Sequence, residues 1–151
     1  VTASHACTVC VGYSCDEGHE TAAWAYGPEA EQAISKMIRA REALRPYIRT
    51  TMNTASASGA PPMRPLWFEF PLDVNTLTSH VEDTQFMLGS EFMVAPVTEY
   101  LVRSRSVYFP EGASWRHYFL GSTHSGGQAE VLNAPFDTPL VFERVRMPSS
   151  K

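Results

Sequence analysis

Residues 45–97 read RPYIRTTMNTASASGAPPMRPLWFEFPLDVNTLTSHVEDTQFMLGSEFMVAPV. Met63, Leu66, Trp67, Phe68 and Phe70 make the middle of this stretch densely apolar. Hydrophobicity that is continuous rather than alternating predicts a strand over 63–70 covered on both faces, as in a parallel barrel. Pro65 fits only near the start of such a strand, and Pro71 ends it. Residues 74–79 read as a loop. Residues 83–88 read as one helical turn, with Asp83 as its cap and Gly89 closing it.

On the upstream side, Gly27-Pro28-Glu29 is a helix start, since Pro suits the first helical position and Glu the positive end of the helix dipole. Ala30, Ala33, Ile34, Met37, Ile38, Leu44, Ile48, Met52 and Ala55 then recur in steps of three and four. That period predicts a helix over 28–55. Pro46 lies inside it and is expected to kink it. Gly59 is placed to close it in a left-handed conformation.

On the downstream side the texture changes near Gly89. Short apolar segments at 92–97, 106–109, 115–119, 129–132 and 140–144 are separated by turn residues such as Pro110-Glu111-Gly112, Gly121-Ser122 and Ser125-Gly126-Gly127. Strands at this spacing predict an antiparallel sheet or sandwich. Of the aromatics, Trp67 and Phe119 are expected in the core. Trp115 and Tyr118 stay open between core and a surface that stacks on sugar rings.

The chain of 151 residues, with 44% hydrophobic content and a formal net charge of −4, is enough for one domain, or the tail of one and a small second. Nucleic acid is excluded as a partner, because phosphate neutralisation needs clustered Lys and Arg. The only local basic run is Arg39, Arg41, Arg45 and Arg49, on the expected helix, where a solvated face explains it. No apolar stretch approaches the roughly 20 residues of a membrane span, and no signal peptide opens the chain, which starts at Val1. Cys7, Cys10, Cys15 and His19 form C-x2-C-x4-C-x3-H, soft ligands of the kind that hold tetrahedral zinc. The segment has no helical or strand period, and its ligand order differs from that of small zinc knuckles, so no metal is assigned.

Six blocks in order resemble glycoside hydrolase family 31, the α-glucosidase and α-xylosidase family. Trp24-Ala25-Tyr26-Gly27-Pro28-Glu29 resembles its "EPW-x-[FY]-G" helix entry, and Arg45-Pro46-Tyr47-Ile48 its "LLPYIY". The run from Gly59 to Pro71 resembles "GTPVMRPLFFEFP", and Asp83-Thr84-Gln85-Phe86-Met87-Leu88-Gly89 resembles "DDQFMFG". "LLVAPV" is matched over 92–97 and "VYLPEG" over 107–112; Gly126-Gly127 and Ala134-Pro135-Phe136-Asp137 match turns of the sandwich.

The resemblance implies an α+β fragment: the last helix and strand of a (β/α)8 barrel followed by an antiparallel β-sandwich. It divides the chain into a divergent or disordered segment 1–23, the barrel end 24–89, the proximal sandwich 90–147 and a tail 148–151. It implies hydrolysis of O-glycosyl bonds in α-linked oligosaccharides with retention, by two carboxylates about 5 Å apart. Both catalytic Asp of the family lie upstream, in contexts such as "W-x-D-[MN]-N" that this sequence lacks. No catalytic residue is therefore assigned here and no cofactor is called for. The implied partners are the α-linked oligosaccharide of the full-length enzyme and the missing N-terminal barrel.

By the same resemblance His19 is the one substrate-binding candidate, near the place of the family's "R-x-H-G" histidine, although Glu17 and Glu20 stand where Arg and Gly belong. Glu69 and Asp73 fall in the family's structural "EFP-x-D" turn, and Arg64 reads as a structural ion-pair partner. Helix and strand faces that the barrel would cover are expected to remain apolar and exposed. The alternative reading is a non-catalytic β-sandwich module that binds carbohydrate or serves in packing.

Overall fold

The computed structural model describes residues 26–99 and 101–145. They form α1 (Pro28–Ser58), β1 (Met63–Arg64), α2 (Leu66–Glu69), a 3₁₀ turn (Val74–Leu77), α3 (Ser79–Glu82), β2 (Phe86–Leu88), β3 (Phe92–Val94), β4 (Ser104–Phe109), β5 (Ser114–His117), β6 (Thr123–Ser125), β7 (Gln128–Asn133) and β8 (Val141–Val145). Every strand pair is antiparallel. One sheet has the order β1-β2-β3-β8-β5-β6, and β4 pairs with β7 in a second. The larger sheet draws β1 and β2 from before Gly89 and its other strands from after it.

Side chains alternate across a strand, and the register turns that alternation into two cores. Met87 lies opposite Met93, and Met93 opposite Phe142. All three enter a cluster with Phe109, Val107 and Trp115, between the two sheets. Their neighbours Leu88, Phe92, Val94 and Val141 face the other way and pack with Leu44, Tyr47 and Ile48 of α1. The large sheet is thus the middle layer, with α1 on one face and the β4–β7 ribbon on the other. All of β3 is buried, as a strand covered on both sides must be.

The helix extends three residues beyond the expected 28–55. Gly59 ends it with φ 76°, its N–H donating to the Ala55 carbonyl. Pro46 is accommodated within it. The buried stripe runs Ala33, Met37, Ala40, Leu44 and Thr51, so Ile38 and Met52, expected inward, are exposed.

Five other expectations are corrected. Residues 63–70 are not a strand: two residues pair with β2, then Pro65 caps a single helical turn. Leu66 and Phe70, four apart, reach the core from that turn, while Trp67, expected inside, is exposed with Phe68. A dense apolar run has no period that separates strand from helix, and the prolines at both ends leave room for only one turn. Residues 83–88 are not a helical turn either; the helix comes earlier, at 79–82, and β2 follows. Asp83 is accordingly at the C-cap of α3, not an N-cap. The interval 74–79, expected to be loop, holds the 3₁₀ turn and the start of α3. β6 was not anticipated.

Tyr47 ties α1 to the β2–β3 turn. Its hydroxyl donates to the Leu88 carbonyl at 2.8 Å and accepts from the Glu91 N–H at 3.2 Å. Gly89 sits between these contacts with φ 63°, and a Cβ there would lie 2.1 Å from the Tyr47 hydroxyl oxygen. Both the left-handed backbone and the approach of the phenol require glycine. Gly89→Ala is expected to destabilise the fold by at least about 2 kcal/mol, read as a fall in melting temperature. Tyr47→Phe, which keeps the ring, should cost less in the same measurement.

Candidate functional site

The carboxylates that follow β1 in the chain, Glu69 and Asp73, are committed to structure. Glu69 pairs with Arg64, and both side chains are largely buried. The Arg64 guanidinium also lies 5.2 Å from the Phe68 ring centroid. Asp73 is buried. It accepts from the Asn75 N–H at 3.1 Å, the Tyr108 hydroxyl at 2.7 Å and the Glu111 N–H at 2.9 Å. Burial opposes its ionisation, but these donors outweigh it and hold the carboxyl below its usual range. Tyr108 is pushed up to about 12, by burial first and then by its bond to Asp73. A carboxylate with three donors and no free face toward solvent is a brace rather than an acid or base.

Gln85 acts on the same strand. Its Nε2 donates to the Tyr108 carbonyl at 2.9 Å, and its Oε1 accepts the Tyr108 N–H at 2.8 Å. Among the described residues β4 has a ladder partner, β7, on one edge only. The carboxamide supplies the paired donor and acceptor that a further strand would offer the other edge.

A second polar group is buried among aromatic rings. His117 Nδ1 accepts from the N–H groups of Phe119 at 3.2 Å and Leu120 at 3.3 Å, which requires that nitrogen to be unprotonated. Its Nε2 has no partner among the described residues. The Phe142 ring lies 5.1 Å away. Burial pushes His117 down to about 4, and nearby His124 adds to the effect. His124 is itself engaged by Glu130 at 2.8 Å and stacks on Phe109.

Trp115 is fully buried and offers no platform to a ligand. Tyr118 is half-buried and packs edge-on against Phe92, while Phe119, expected in the core, is half-buried beside it. His19, the substrate-binding candidate, and the Cys7, Cys10 and Cys15 cluster lie outside the described residues. Among the described residues no group of His, Cys, Asp or Glu is arranged to hold a metal ion. The described concavity is a cleft of about 820 Å³ between the first turns of α1 and the 133–138 turn, with Lys36, Arg103 and Phe136 in its lining. Sequence reading did not find it, because its walls come from segments about a hundred residues apart; only the "AP-x-[DE]" turn hinted at a fixed loop there.

Residues 59–145 match the Glycosyl hydrolase family 31 C-terminal domain. The chain belongs to glycoside hydrolase family 31. Over 119 residues it is 37% identical to alpha-glucosidase 2 of Bacillus thermoamyloliquefaciens, covering 79% of this chain and 15% of that protein. A family 31 alpha-xylosidase from a soil metagenome, solved with xylose, superimposes with a TM-score of 0.79 at 38% identity, covering 84% of this chain and 18% of the other. The Flavobacterium johnsoniae family 31 dextranase gives 0.78 at 34% identity, over 84% and 15%. The chain therefore spans less than a fifth of the relatives it matches.

The family 31 blocks now have physical roles. Asp73 of the "EFP-x-D" turn meets Gln85 and Tyr108, from two later blocks, at one joint. Gln85→Leu keeps approximate volume but strands two buried backbone groups, each costing roughly 1–3 kcal/mol. The expected loss of about 2–5 kcal/mol would appear as a lower denaturant midpoint. Asp73→Ala should lower the same midpoint.

Acid should weaken the fold in two windows. The unfolded chain protonates His117 near its ordinary 6.5, whereas the folded chain resists until about 4. That contribution is complete above about pH 6.5 and fades as pH falls toward 4. Asp73, whose folded pKa is depressed below 3.8, gives up its contribution only as pH drops below that value. Midpoints measured from pH 7.5 to 4 should fall less steeply in His117→Gln than in the unaltered chain.

Proposed function

We propose that this chain works as the C-terminal portion of a retaining family 31 α-glycosidase, which hydrolyses O-glycosyl bonds of α-linked oligosaccharides. In this reading residues 24–89 close a (β/α)8 barrel, 90–147 form the proximal sandwich, and both catalytic Asp belong to barrel strands upstream. The alpha-glucosidase, alpha-xylosidase and dextranase relatives support the activity class.

The observation that carries the proposal is the set of apolar side chains exposed along the segment from β1 to the 3₁₀ turn. Met63, Trp67, Phe68, Leu72, Val74 and Leu77 are all exposed within fifteen residues of chain. Large apolar side chains exposed this densely mark a surface that another body covers. The resemblance names that body as the barrel, and the Arg64–Glu69 pair and the Asp73 brace would hold this edge in shape for it. His19 would contact the sugar beside the bond that is cleaved.

The 151-residue chain incubated with chromogenic α-glucosides and α-xylosides should release nothing above buffer. Turnover that persists through successive purification steps would show that the chemistry resides in these residues, and the proposal would fail. The alternative, a carbohydrate-binding module using aromatics of β5, is weakened by the complete burial of Trp115.

A further inference from the structure

The cleft between α1 and the 133–138 turn has a wall held by hydrogen bonds. The Ala134 N–H donates to the Arg103 carbonyl at 2.8 Å, and the Thr138 N–H to Pro135 at 3.0 Å. Lys36 crosses from the helix to Asp137 at 3.1 Å and to Thr138 at 3.3 Å, tying the two sides together. The Arg103 guanidinium lies 5.7 Å from the centroid of the half-buried Phe136 ring. The volume of about 820 Å³ falls within the roughly 300–1,000 Å³ of small-molecule clefts.

Charge in the lining cancels. Lys36 and Arg103 stand against Glu29 and Asp137, and Lys36 is already engaged. With Lys36 and Asp137 paired, an anion would find one remaining cation, Arg103, and one remaining carboxylate, Glu29, which is poor complementarity. Beside these charges stand two neutral groups: the Gln32 and Asn133 carboxamides have no hydrogen-bond partner among the described residues, and each offers both donors and an acceptor. Phe136 and Pro135 add an apolar surface beside them. Paired donors and acceptors next to an aromatic ring suit a ligand whose hydroxyls both give and take hydrogen bonds and whose C–H faces are apolar.

We propose that this cleft binds a neutral hexose unit of an oligosaccharide, with Gln32 and Asn133 holding hydroxyls and Phe136 packing against the ring. Binding here involves no bond cleavage, so it goes beyond the glycosidase reading and does not depend on it. Lys36 and Asp137 position the walls and need not touch the sugar.

The test is a titration of the 151-residue chain with maltotriose and isomaltotriose, followed by NMR or calorimetry, with glucuronate and inorganic phosphate as charged probes. Saturable binding of a neutral trisaccharide is expected, weakened roughly tenfold by Phe136→Ala and by the Gln32→Ala/Asn133→Ala double variant. Both residues of the double variant are exposed, so its melting temperature should match the unaltered chain. Three results would each overturn the proposal: no saturable binding by a folded chain, affinity unchanged in the double variant, or a preference for glucuronate or phosphate. None of them bears on the chromogenic assay, so the two proposals stand or fall separately.

Discussion

The fold turns on the two hydrogen bonds between the Gln85 carboxamide and the backbone of Tyr108. Other polar ties of the β4–β7 ribbon, Asp73 to the Tyr108 hydroxyl and His124 to Glu130, are made by side chains of the ribbon and leave its backbone edge unmatched. A side-chain amide reproduces the donor and acceptor spacing of a peptide group, so one residue holds the ribbon's free edge at Tyr108. The Asp73 carboxylate then takes the Tyr108 hydroxyl, so both ends of a single tyrosine are held by residues that precede Gly89. Placement in a buried setting strengthens both interactions and makes the loss of either costly.

With the ribbon held there, the alternation along β2, β3 and β8 sorts side chains into two layers. Met87, Met93 and Phe142 meet the ribbon's Phe109 and Val107, and Leu88, Phe92, Val94 and Val141 meet α1. The helix is seated by Tyr47, whose hydroxyl reaches the turn at Gly89. Sequence blocks far apart in the chain are therefore parts of one mechanical unit, and that unit presents an exposed apolar edge at 63–77 on one side and the polar cleft on another.

Where a residue's partners are near in sequence, the structure was legible from the residues. Steps of three and four gave α1, and Gly59 marked its end. Turn residues located β3, β4, β5, β7 and β8 to within a few positions. Where long-range contacts decide, reading failed. The 63–70 run is equally apolar as strand or helix, and only the burial of Leu66 and Phe70 against the sheet chooses a helical turn. Gln85 looked like part of a helix because its hydrogen-bond partner lies twenty-three residues away. The structural roles of Glu69 and Arg64 came through the family resemblance, and the structure supplies the pairing between them, five residues apart. The cleft was not, because Lys36 and Asp137 become neighbours only after folding.

β3 is three residues long and enclosed above and below, and its two edges are taken by β2 and β8. Such a segment has no direction in which a replaced side chain can relax. β7, by contrast, leaves Val131 and most of its length to solvent. Mutational drift should therefore be tolerated along that outer ribbon while Phe92, Met93 and Val94 change only in concert with their surroundings.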